Sequence, residues 1–151
     1  MKKVVAFILA SLILFSFAYA DCRTDFINAW NKAAPVYGAP ELSEDNMRGI
    51  DGNFSWETQH WEISIFDLPG YIWEVEVYAD NPNDFLLLSV MTGLSVVQRK
   101  TEESYQQFLS NTLNMYLKFI SGKPSGKAVF KDYFFEMDTE GDRMLFYMGY
   151  N

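Results

Sequence analysis

Two short segments of the chain, on either side of a turn, alternate between apolar and polar residues with a period of two. Trp61, Ile63 and Ile65 fall on one side, with His60, Glu62 and Ser64 on the other. After Asp67-Leu68-Pro69-Gly70, Tyr71, Trp73, Val75 and Val77 alternate with Ile72, Glu74 and Glu76. Successive side chains of a strand point to opposite faces. Pro followed by Gly suits a tight turn. A β-hairpin with one face in the core and one in water follows. Trp61, Trp73, Val75 and Val77 are expected on the core face.

The chain starts with MKKVVAFILASLILFSFAYA. Lys2 and Lys3 precede an uncharged apolar run, Val4 to Phe17, and Ala18-Tyr19-Ala20 puts small residues at −3 and −1 of a cut before Asp21. These are the three parts of a secretory signal peptide. A spanning helix needs about 20 apolar residues, and the uncharged run through Ala20 is 17. Residues 1–20 are therefore expected to be cleaved and residues 21–151 to form one domain, exported to the periplasm or the cell exterior.

Without the signal, ten basic residues face twenty acidic ones, a formal charge of −10. Nucleic acids and anionic membranes need a positive face and are poor partners for such a domain. A basic protein or a cation suits it better. Of 26 aromatic residues, 22 lie after residue 20, enough to build a core. Cys22 is the only cysteine, so no intramolecular disulfide can form and the core must hold the fold. Near a mature N-terminus, Cys22 is expected to be an incidental thiol, or else to bridge to a second chain.

Residues 24–34 read as a first helix, with Thr24 as N-cap and Pro35 stopping or kinking it. Residues 38–53 read as a loop. Asp80 to Asp84 reads as a turn and the apolar run from Phe85 to Met91 as a central strand, with Gly93 a bulge or turn. Thr101 is expected to cap the clearest helix. In it Tyr105, Phe108, Leu109, Thr112, Tyr116, Phe119 and Ile120 keep helical spacing, and Gly122 and Pro124 end it. Residues 127–137 and 143–150 read as a hairpin closed by 138–142. The expected architecture is α+β: an antiparallel sheet of five to six strands with two helices packed on it, in the order α-β-β-β(-β)-α-β-β. This order is loosely similar to that of secretion-chaperone-like domains and of a photosystem accessory-protein domain. No residue motif accompanies the likeness, which implies a fold and no site.

Chemistry-bearing motifs are sparse. Ser121 to Lys127 (SGKPSGK) has the wrong glycine spacing for a phosphate loop and leaves a helix rather than entering one. Asp138, Glu140 and Asp142 alternate as calcium ligands often do, but the twelve-residue loop and its closing Glu are missing, and a surface turn is the preferred reading. His60, Glu62, Glu74 and Glu76 share the expected wet face, where they could hold a divalent cation or move a proton; a solvated sheet face is preferred. Met137, Met144 and Met148 could bind copper(I), but core packing is preferred. Trp56, out of phase with Trp61, is the tryptophan expected to be exposed, as sugar-stacking residues are. Asn53-Phe54-Ser55 fits an N-glycosylation acceptor, relevant only in a eukaryotic secretory pathway. No nucleophile elbow, catalytic triad or cofactor fingerprint is present.

These features point to a non-catalytic acidic binding domain of the cell envelope, with a basic protein as partner and no catalytic residue, cofactor or metal assigned. The alternatives are a small carboxylate hydrolase acting on envelope glycans and a weak divalent-cation binder.

Overall fold

A computed structural model describes residues 22–50, 52–68, 70–97 and 102–151. The expected signal peptide, its cleavage site and the Thr101 cap lie outside the described residues. The chain is α+β. One seven-stranded sheet, antiparallel throughout, has the order β1-β2-β3-β4-β7-β6-β5. The strands are β1 (Arg48–Ile50), β2 (Asn53–Glu57), β3 (Trp61–Leu68), β4 (Tyr71–Ala79), β5 (Lys127–Phe130), β6 (Tyr133–Glu140) and β7 (Arg143–Tyr150). Helix α1 spans residues 22–37, α2 Pro82–Val97 and α3 Glu102–Ile120. No described helix is long and apolar enough to cross a membrane.

The expected strand at Phe85–Met91 is a helix instead, which is the main correction to the order read from the sequence. Its start is well specified. Asn81 Oδ1 accepts the Asp84 backbone N–H at 2.9 Å, and Asn81 Nδ2 donates to Asp84 Oδ2 at 2.6 Å. Pro82 takes the first helical position, where its missing N–H costs nothing. Asn81 to Asp84 is thus a helix cap rather than a turn between strands. The helix is buried on almost every side, from Phe85 and Leu88 to Met91 and Ser95, so no amphipathic period marks it. Buried Ser89 and Ser95 satisfy their hydroxyls by donating to the carbonyls of Phe85 and Met91, four residues back.

The other boundaries move less. Helix α1 already includes residue 22, so Thr24 lies inside it rather than capping it. It passes Pro35 and ends at Gly38, where φ is +70° and the Ala39 N–H reaches the Ala34 carbonyl at 3.0 Å, a left-handed cap. The loop expected over 38–53 contains a 3-10 turn (Glu44–Asn46) and β1. The strand expected over 127–137 is two strands, β5 and β6, split at Lys131 and Asp132. With the Phe85 strand lost, β1, β2 and the division of the 127–137 strand into β5 and β6 bring the count to seven.

One face of the sheet carries the helices. Ile63, Ile65, Val75, Val77, Phe135, Phe146 and Met148 form its buried layer, against Phe26, Trp30, Phe85, Met91 and Phe108. The three methionines that could have bound copper turn inward: Met137 and Met148 are buried and Met144 packs against the core. Ile120, expected on the buried stripe of α3, is half exposed.

Helices α2 and α3 meet at Gly93, which sits within α2 and marks neither bulge nor turn. A Cβ there would lie 1.9 Å from Phe108 Cζ. Replacing a helical glycine by alanine ordinarily stabilises by about 1 kcal/mol. Here the added methyl must displace a buried ring, and overpacking costs about 1–3 kcal/mol. Gly93→Ala should therefore melt below wild type in thermal denaturation, and adding Phe108→Leu should recover part of the loss. A Gly93→Ala protein melting at or above wild type would contradict this contact.

Candidate functional site

Among the described residues, the second face of the sheet carries no helix. Its residues follow from the register. Glu62 opposes Tyr78, Ser64 opposes Glu76, Phe66 opposes Glu74, Glu76 opposes Tyr147, and Tyr147 opposes Glu136. Asp138 and Glu140 extend the row along β6, opposite Leu145 and Arg143. Among the described residues, seven carboxylates sit on these strand positions (Glu57, Glu62, Glu74, Glu76, Glu136, Asp138, Glu140) with three cations, Arg48, Lys127 and Arg143.

The three cations all have partners within the fold. Arg48 pairs with Glu57. Arg143 Nε donates to Asp80 Oδ1 at 3.1 Å, its Nη1 lies 3.8 Å from Glu62, and its guanidinium covers the Tyr78 ring at 5.4 Å. Lys127 Nζ stands 3.3 Å from the Phe134 ring centroid. In the middle of the sheet the donors are phenols. Tyr147 donates to Glu74 Oε2 at 2.9 Å, and Tyr78 to Glu76 Oε2 at 3.3 Å.

The electrostatics follow from this crowding. Partial burial raises the Glu76 pKa above the ordinary 4.5, and the neighbouring Glu74 charge adds to it. Burial also raises the Tyr147 phenol to about 12, helped by its hydrogen bond to Glu74. Tyr78 is raised for the same first reason. Both phenols stay protonated donors in a negative field.

Aromatic rings flank the carboxylates. Trp73 packs edge-on to Phe66 at 6.2 Å, and Phe134 lies 5.5 Å from Tyr147. Trp73 is here because a β-bulge shifts the β3–β4 register between Phe66 and Asp67. Ile65 opposes Val75 but Asp67 opposes Ile72, so Trp73 is the extra residue. A bulge reverses the alternation beyond it. Ile72, expected in water, is buried; Tyr71 and Trp73, expected in the core, are 39% and 40% exposed. Trp56, expected to be exposed, is buried, and its Nε1 donates to the Ser43 carbonyl at 2.9 Å.

The residues singled out in the sequence are brought together only in part. Glu62, Glu74 and Glu76 do share the open face. His60 does not join them: it sits in the bend before β3, 3.5 Å from Asp80. Asp138 and Glu140 are strand residues rather than loop ligands, and only Asp142 lies in the two-residue turn. Among the described residues, no three His, Cys, Asp or Glu side chains are grouped to share a metal ion. Cys22, expected near a mature N-terminus, is buried within α1. Tyr78, Tyr147, Phe66 and Phe134 belong to this surface and were not singled out. Alternation places Tyr147 among polar neighbours only once β6 and β7 are paired.

The raised Glu76 pKa fixes a sign for pH dependence. The unfolded chain ionises Glu76 more readily than the folded one, so its contribution to stability is greatest at low pH and is lost as pH rises through the carboxylate range. Glu76→Gln should raise the melting temperature at neutral pH and change it little well below pH 4.5. Melting curves at the two pH values check this, and a variant destabilised at neutral pH would contradict it. No protein-family model matches the chain, and neither a curated protein nor a solved structure does; what this surface does has to be argued from its own residues.

Proposed function

We propose that the protein is a non-catalytic binding module of the bacterial cell envelope, and that its open sheet face receives a basic protein partner. The observation that supports this is the centre of that face. Glu74, Glu76 and Glu136 surround Tyr147, and phenols rather than cations hydrogen-bond Glu74 and Glu76. Arginine suits such a surface. Its planar fork pairs bidentately with carboxylates and stacks on aromatic faces, here those of Phe66 and Trp73. Export follows from the expected signal peptide, and the net charge of −10 after its removal favours fast, salt-sensitive association with a positive surface.

Affinity capture from envelope extract tests the proposal. The wild-type domain should retain a basic protein at low salt and release it as salt rises. Glu74→Gln with Glu136→Gln should weaken retention about tenfold. Glu44→Gln with Asp45→Asn, exposed on the 3-10 turn, should leave it intact. Equal retention by both variants, or none by wild type, would overturn the proposal.

A second reading, a small carboxylate hydrolase of envelope glycans, draws support from one observation: Glu76, its pKa raised by burial and by the Glu74 charge beside it, resembles a general acid. Under that reading Glu76→Gln would abolish release of reducing ends from peptidoglycan fragments by the purified protein.

A further inference from the structure

A cavity of about 200 Å³ opens at one end of the sheet. The β3–β4 turn, the β5–β6 turn and the end of β7 meet there with Cys22 and Asp25 of α1 and the last turn of α2. Three tyrosines line it. Tyr71 and Tyr150 have ring centroids 5.0 Å apart at 47°, and Tyr133 and Tyr150 stand 5.3 Å apart, nearly perpendicular at 87°. Asp25 and Asp132 add carboxylates, and Ile72 and Val96 add apolar wall. The Tyr133 hydroxyl donates to the Ile72 carbonyl at 2.7 Å, which fixes that ring in place.

The chemistry of the lining selects a ligand class. Each ring face carries the negative end of a quadrupole, which attracts cations. Burial is the first cause that raises the Tyr133 phenol, to about 12, so it stays a protonated donor. Attraction here comes from the ring faces, and the Tyr133 hydroxyl is already engaged; a cation held by ring faces needs no acceptor for an N–H. That suits a cation without N–H groups. The volume is below the about 300–1,000 Å³ of pockets that enclose whole drug-sized ligands, so it holds a head group only.

We propose that this cavity binds a quaternary ammonium head group of the trimethylammonium type. The cavity uses none of the open-face carboxylates, so the proposal is independent of the basic-partner reading.

Choline titration tests it, read by calorimetry and by the proton shift of the choline methyl groups. Saturable binding is expected, with the methyl resonance moved upfield by the rings. The neutral carbon isostere 3,3-dimethylbutan-1-ol should bind at least about tenfold more weakly. Tyr150→Ala, at a site 47% exposed, should weaken choline about twofold to thirtyfold, while Tyr150→Phe, which keeps the ring, should bind as wild type. Vesicles separate two sources of the same head group. Co-sedimentation with phosphatidylcholine but not phosphatidylglycerol vesicles, competed by choline, would assign it to a lipid. Choline binding without co-sedimentation would assign it to a free solute. No methyl shift at tens of millimolar choline, equal binding of the isostere, or equal losses in Tyr150→Phe and Tyr150→Ala would overturn the proposal.

Discussion

The pairing of β4 with β7 is the contact on which the rest of the structure depends. It joins a four-stranded meander near the N-terminus to a three-stranded one at the C-terminus. Glu74 through Ala79 oppose Gly149 through Met144, about seventy residues along the chain. Closing so long a loop carries an entropic cost that grows only slowly with length. The buried cross-strand pairs Val75–Met148 and Val77–Phe146 offset it, as does the Tyr133 hydroxyl bond to the Ile72 carbonyl. Without this seam the carboxylates of β4 never meet Tyr147.

Helices α2 and α3 form the crossover between the two meanders and stay on one side of the sheet. Close approach of α2 to α3 at Gly93 and Phe108 lets both fit over a single face. The consequence is an asymmetric domain. One face is an aromatic and aliphatic core; the other is left to water, with carboxylates, phenols and a few aromatic rings. The same seam that builds the core therefore gathers the negative charge. It also sets Tyr150 against Tyr133 at the end of the sheet, where Tyr71 completes a ring-lined cavity.

Much of the hairpin was legible because its signal is local. Ile63, Ile65, Val75 and Val77 are buried where alternation puts them, and Glu62, Glu74 and Glu76 share the opposite face. Alternation failed only between the bulge and the turn, since one extra residue reverses the phase for Tyr71, Ile72 and Trp73 and no residue type announces it. Helix α2 was misread for a different reason. A helix buried on all sides has no period, and a continuous apolar run suits a central strand equally well. The deciding evidence was present in Asn81-Pro82-Asn83-Asp84, whose cap, first-position proline and reciprocal Asn–Asp bonds are helix chemistry.

The sequence by itself determined the α+β class, the β3–β4 hairpin, the long helix α3 and a strongly acidic composition. Each rests on periodicity, capping or charge, which neighbouring residues carry without reference to distant ones. Only the tertiary structure decided which side of the sheet stays open, and that His60 stands apart from the acidic row while Tyr147 joins it. It also decided that three tyrosines from β4, β6 and β7 share one cavity. Those outcomes depend on strand order and on a one-residue bulge, and such long-range pairing is set by the packing of the whole core rather than by any local run of residues.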